Sequence, residues 1–480
     1  MKTIKILSLL ALLALTNSCS DFLDYKPRGV VYSDQIDSPA ELDQMVTAAY
    51  ASLGNDDRSF SFTNMWVMGA IRSDDAYKGG GGVSNRIEWH NFETFSPMTV
   101  DIAPLNDIWT GVYEGIARAN EALRRIETID DSAYPDKASR IAEARFIRGH
   151  FFFLLKIFFK YPVWEDTSTP KADVPKLTNR QFTNDELWNK IAEDFKYASE
   201  NLPLTQVQKG RATRTAAWAY LAKTRLYQAY EQDEKHNVTS INQARLNEVV
   251  QLTDNVINSG QHALASDFAE NFLYEFENGK ESIFAIQYSI NDGVQFGRTN
   301  RSVMMNYNMA PEYGCCWFNV PSQNLVNAFK TSPSGLPMFD TFDNVSMKDS
   351  LDFLTNGVDP RLDHTVGIPG HPFKYLNNFI YKKLWARVPE VYGYFSTMKE
   401  ISQPTCTCIT KVGAYIGSAQ NTDIIRYADV LLWKAEALIE LGRHAEALPL
   451  INAVRARANN SKARLAYKNN TMPSNYRIDQ

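Results

Sequence analysis

Asp74 and Asp75 stand side by side, a run of glycines follows Lys78, and seven histidines are spread along the chain. Cleavage of a glycosidic bond takes two carboxylates about 5–9 Å apart across the scissile bond. Neighbours one residue apart do not face each other on a helix, so the aspartate pair supplies no such arrangement by itself. The histidines, at 90, 150, 236, 262, 364, 371 and 444, show no His-x-x-x-His or Glu-flanked metal spacing. No Gly-x-Ser-x-Gly elbow is present. Lys78-Gly79-Gly80-Gly81-Gly82 lacks the Gly-Lys-Ser/Thr of a phosphate loop and reads as a flexible surface loop. These residues predict no catalytic centre, no metal and no cofactor.

Binding chemistry is better represented. Aromatic residues make up 12% of the chain, more than a core alone requires. A sugar presents apolar C–H faces ringed by hydroxyls, so its capture needs flat rings flanked by amides or carboxylates. One segment with that mixture runs through Tyr307, Asn308, Tyr313 and Trp317. A second comprises Trp66, Asp74, Tyr77 and Trp89, around the Gly79 to Gly82 loop. Trp317 and Tyr313 are the leading candidates; the competing reading of each ring is a place in the core.

Of the five cysteines, Cys19 follows a short basic segment with Lys2 and Lys5 and an apolar run over residues 6–15. That run is too short to cross a bilayer. It reads as a bacterial lipoprotein signal over residues 1–18, with Cys19 as the acylated first residue of the mature protein. The match departs from the usual box in having Thr16 where leucine is expected. Cys315, Cys316, Cys406 and Cys408 remain, an even number in an oxidising compartment. Adjacent and one-apart bridges close strained rings, which favours crosslinks between the 315/316 loop and the 406/408 loop. Free thiols are the alternative.

The elements that must position these residues are mostly helical. Apolar residues recur at three- and four-residue steps over 104–129, and further helices are expected over 137–161, 183–201, 212–230 and 242–259. Thr183 with Glu186 forms a capping box, and Gly260 a stop. Residues 422–458 read as a helix pair turning at Gly442, with Pro449 expected to loosen the second helix. Short pairs with alanines at close-packing positions predict a degenerate tetratricopeptide-like repeat. Between them, residues 261–421 are rich in Gly, Pro, Asn and aromatics and read as a variable, ligand-facing region. The expected organisation is a signal over 1–18, a tether over 19–37, a helical region over 38–260, the loop-rich region, and a helical hairpin over 422–480. A net charge of −5 argues against nucleic acid as a partner.

Several blocks in order resemble the SusD/RagB outer-membrane lipoproteins: Cys19 with Asp21-Phe22-Leu23-Asp24, EARFIRGHFFFLLKIFFKYPVW (143–164), GRATRTAAWAYLAKTRLYQAY (210–230), ESIFAIQYS (281–289), VDPRLDHTV (358–366) and IIRYADVLLWKAEALIELGRHAEALPLINAVRARA (424–458). The resemblance implies a mostly α fold with four tetratricopeptide-like units and few short strands. It also implies a non-catalytic lipoprotein on the outer face of the outer membrane, which captures glycan and passes it to a SusC-like TonB-dependent transporter. A peptide-binding scaffold and capture of another nutrient are the other readings. The family's further helical segment after VRARA is absent from this sequence, which is therefore expected to be a fragment or a truncated form.

Overall fold

In a computed structural model the described residues are 36, 38–55, 63 and 65–479. The signal segment, the lipidation site Cys19 and nearly all of the 19–37 tether lie outside them. Among the described residues, eight helices form the frame: α1 Pro39–Ala51, α2 Ala103–Glu127, α3 Lys137–Phe159, α4 Asn184–Asn201, α5 Arg214–Ala229, α6 Gln243–Asn258, α7 Tyr427–Glu440 and α8 His444–Asn460. Each packs against the next, in the manner of tetratricopeptide units. None of the described helices is long and apolar enough to cross a membrane.

Local chemistry sets the helix starts. Ser38 caps α1 through Glu41 N, and the Glu41 carboxylate returns to Ser38 N at 3.1 Å, with Pro39 as the first helical residue. Thr183 and Glu186 do the same for α4, at 3.2 and 2.8 Å. The stripe Ile108, Val112, Ile116, Ala119, Leu123 and Ile126 buries one face of α2. Helix α3 is buried on every side between Phe151 and Leu155, as its FFFLL sequence requires. Helix α8 runs unbroken through Pro449.

Two excursions leave this frame. Residues 65–102 hold strand β1 (Ala76–Gly79) and a short helix, Ile87–Glu93. Residues 287–421 hold a chain of short elements that includes β3 (Phe318–Pro321). The second excursion begins after β2 (Ser282–Ile286) and ends at β4 (Thr422–Arg426), which pair antiparallel, Thr422 opposite Ile286. Strands β1 and β3 also pair antiparallel, Gly79 opposite Phe318, and so join the two excursions. The sequence places 38–260 in one helical region. The structure instead gives 65–102 to the loop-rich part, because β1 finds its hydrogen-bonding partner there.

The frame's core is aromatic. Phe146 meets Phe195, Tyr220 and Phe284 edge-on at 5.5, 5.7 and 4.8 Å, and Phe195 stacks on Tyr220 at 4.4 Å. Phe284 belongs to β2, so the strand pair covers this side of the frame. The chain after α8 is held in place: Ser474 and Tyr476 donate to Asp363 at 2.7 and 2.9 Å.

Candidate functional site

Most of the sequence-predicted binding residues lie inside the molecule. Trp317 is buried and its Nε1 donates to Phe395 O at 2.9 Å. Tyr313 donates to Ser402 O at 2.8 Å, Tyr307 accepts from Ser402 N at 3.2 Å, and Asn308 accepts from Ala310 N at 3.0 Å. Trp66 donates to Ser302 O at 2.7 Å and meets Trp89 edge-on at 5.0 Å. All six are core residues of the loop-rich part, not an open platform. The physical reason is that an irregular core has no helix or sheet ladder to satisfy its backbone. Asparagines and aromatic hydroxyls then do that work, and the composition matches that of a sugar-binding loop.

The cysteines also depart from expectation. Cys315 pairs with Cys316 and Cys406 with Cys408, each loop closing on itself. Cys316 is buried with Trp66, Trp89 and Phe318, and Cys408 lies at the start of the Ile409–Val412 and Tyr415–Ser418 hairpin. The two loops touch, Lys411 Nζ donating to Tyr313 O at 2.9 Å, but each bridge forms within its own loop.

Asp74 and Tyr77 do reach the surface, Asp74 exposed and Tyr77 half-buried. Asp74 stands just before β1 and Tyr77 within it, and the glycine turn follows the strand. Lys78 turns inward there and is fully buried, its ammonium donating to Gly79 O, Gly82 O and Asn85 O at 3.0, 2.8 and 2.7 Å. It lies over the rings of Phe318 and Tyr392, 5.7 and 5.5 Å away. The glycine run is thus wound around a buried cation. At Gly80, φ is +76° and a Cβ would come within 2.4 Å of the Phe318 ring, so only glycine fits.

Over this turn lies the segment 381–394, and its outward side chains were not singled out from sequence. Tyr392 is buried against Trp317 and Tyr77, at ring distances of 6.3 Å to each. Tyr394 is 42% exposed, with Lys383 Nζ 5.1 Å from its ring. Arg387 is exposed, and its guanidinium rests on Gly81, where a Cβ would stand 3.0 Å from Nη2. Asp74 stays at the far end of β1, its carbonyl accepting from Ser322 Oγ. The segment presents one outward face in which Tyr394, Lys383 and Arg387 are exposed and Tyr77 is half-buried against Tyr392. Three small buried clusters, around Trp66, Tyr313 and Trp317, support it. The only sequence signal for it is the Lys-Lys…Arg spacing at 382–387.

A second, concave feature lies where the loop-rich part meets the frame. Two adjoining cavities of about 330 and 210 Å³ share Asn271, Gln420, Asn421 and Asp423. Burial pushes Glu277 up to about 7, against a hydrogen bond from Asn421 N. Burial also pushes Asp423 up to about 6, against its bond from Ser282 and the Arg426 charge. Both folded values exceed those of free carboxyls, about 4.3 and 3.9. The stability that these groups contribute is therefore complete below about pH 4 and is lost as pH rises through 6 to 7. The melting temperature is expected to fall between pH 5 and pH 8. The double variant Glu277→Gln, Asp423→Asn should flatten that slope and melt several degrees higher at pH 8; calorimetry across this range is the check.

No reacting centre emerges from either feature. Asp363 and His371 pair at 2.6 Å, but both are buried beneath Ser474 and Tyr476.

A tetratricopeptide-like frame carrying a loop-built, solvent-facing surface defines a helical-repeat protein with a large loop-rich part inserted between its helices. A SusD family model matches residues 280–478, and a second, described as starch-binding associating with outer membrane, matches residues 21–226. The chain belongs to the SusD/RagB family. It is 28% identical over 230 residues to SusD-like protein P2 of Formosa agariphila, a match covering 47% of this chain and 43% of that protein. The chain thus spans less than half the length of that relative. The fold is shared with a SusD-like carbohydrate-binding protein of Bacteroides fragilis, with TM-score 0.68, 22% identity, and 88% and 79% of the two chains covered. It is shared also with surface glycan-binding protein A of Bacteroides fluxus, with TM-score 0.64, 22% identity, and 88% and 82% covered.

Proposed function

We propose that this protein captures glycan at the cell surface without cleaving it and delivers it to a SusC-like TonB-dependent transporter. Lipid on Cys19 would hold it on the outer membrane. The observation that carries the reading is the outward face of Tyr394, Lys383 and Arg387 beside the half-buried Tyr77, on a buried aromatic loop core, in a chain of the SusD/RagB family. Rings of this kind give stacking area at low entropic cost, and flanking charged groups orient the hydroxyls. An open platform leaves much of the sugar hydrated, so single-site affinity should be weak and raised by multivalency. The names of the B. fragilis and B. fluxus proteins support the ligand class. The strand pair covering the frame beside Phe146 favours loops over helix grooves as the ligand surface.

The test has two parts. Calorimetry against a polysaccharide panel should find a ligand whose affinity falls at least tenfold in Tyr394→Ala, with the melting temperature unchanged. Pull-down from detergent-solubilised outer membrane should recover a large β-barrel partner. A panel without a ligand would reject the capture role, and a pull-down without a barrel the delivery role.

A further inference from the structure

The charge of the exposed segment runs against that of the whole chain. Lys382, Lys383 and Arg387 face a single carboxylate within residues 381–394, Glu390, in a protein of net charge −5. All three cations are exposed, and among the described residues none of them makes an ion pair. Lys382 and Lys383 lie over Trp385 and Tyr394, at 5.8 and 5.1 Å. Of the acidic groups around the turn, Glu93 is occupied by Lys78 N at 2.8 Å and Glu400 by Asn306 and Asn319 at 2.7 Å each. Asp74 and Asp75 are exposed at the start of β1.

Arg387 is the best placed of the three. Gly81 has no Cβ, so the guanidinium settles on the loop backbone, with Cζ 3.1 Å from where that Cβ would be. A guanidinium held there and left without an acid keeps its forked N–H donors for a ligand, and that fork matches the two oxygens of a carboxylate or a sulfate. The exposed Tyr394 ring on the same segment suits the sugar that carries the anion.

We infer that this face selects anionic saccharides, bearing carboxylate or sulfate groups, with Arg387 as the anion-binding residue and Lys382 and Lys383 beside it. The inference rests on the glycan-capture reading and narrows it.

Two matched pairs of polymers test it by affinity electrophoresis and calorimetry on the full chain: dextran with dextran sulfate, and methyl-esterified with free polygalacturonate. The expected result is binding to one anionic member at least tenfold tighter than to its neutral counterpart, weakening as salt rises. Which pair responds distinguishes sulfate from carboxylate. Arg387→Ala and Gly81→Ala should each lose tenfold or more, and both should melt as the parent does. Lys468→Ala, an exposed lysine elsewhere, should change nothing. Failure to bind either anionic polymer, or a preference that survives Arg387→Ala, overturns the inference. Binding to a neutral panel then decides the broader reading separately: a neutral ligand leaves glycan capture standing, and none removes both.

Discussion

Asp194→Ala should cost about 3–5 kcal/mol of stability, the usual penalty for stripping one partner from a buried ion pair. Asp194 on α4 is 1% exposed and accepts from Arg148 Nε and Nη2 at 2.8 and 2.7 Å. Arg145 Nε adds a third bond at 2.8 Å. Arg148 also reaches Asn120 of α2 at 3.0 Å, so one guanidinium ties three consecutive helices together. Although burial acts to lower it, the Asp194 charge holds the Arg148 pKa above its ordinary value, and the guanidinium stays charged. Removing the carboxylate leaves that charge buried with one amide as hydrogen-bond partner and the weaker influence of Asp166 and Glu127. Removing both partners should cost far less: Asp194→Leu with Arg148→Met should recover most of the loss, because a packed apolar pair carries no desolvation penalty. Urea denaturation of the two single variants and the double variant measures the coupling. A single-variant loss under about 1 kcal/mol would mean that water already reaches the pair.

The second large effect is expected at Lys78. Its three N–H donors meet three carbonyls of the turn, and burial draws its pKa down to about 8 while the Glu93 charge works against that fall. At neutral pH the ammonium therefore keeps all three donors. Lys78→Met fills the space but leaves Gly79 O, Gly82 O and Asn85 O without partners, at a cost of about 2–3 kcal/mol. The functional cost should be larger. The turn is the bed on which Arg387 rests, so glycan affinity should fall more than tenfold even where the variant is fully folded. Hydrogen exchange should show new opening of residues 79–85 while α2 to α6 remain protected. Protection unchanged at the turn would show that the lysine is a passenger there.

The frame was legible in the sequence and the face was not, for reasons that particular residues make plain. Capping boxes such as Thr183 with Glu186, and stripes such as Ile108 to Ile126, are written within a few residues of one another. The burial of Trp317 depends on Ala386 and Tyr392, far along the chain, and no local pattern announces it. The loops rich in aromatics and asparagine gave a correct sense of where the chain turns irregular, and a mistaken one of which rings face water. Arg387 is the opposite case: an ordinary arginine in sequence, made distinctive by a glycine on the other excursion. Lys78 was read with its glycines as a loose loop, because charge suggests solvent unless the carbonyls that receive it are known.

The pairing of β2 with β4 bears on how such proteins diversify. Residues 287–421 depart from the frame and rejoin it at neighbouring strands, so their ends stay together whatever lies between. Lengthening a closed loop costs only about 0.6 kcal/mol per doubling. A lineage can therefore trade this stretch for one of different length and surface while Asp194, Phe146 and the helix caps remain as they are. The β1–β3 pairing adds one condition: the stretch holding Lys78 and Gly81 has to be inherited together with it. A transplant of 287–421 alone should fold onto a foreign frame yet arrive without the bed for its arginine, whereas a transplant that carries 65–102 as well should bring its ligand preference with it.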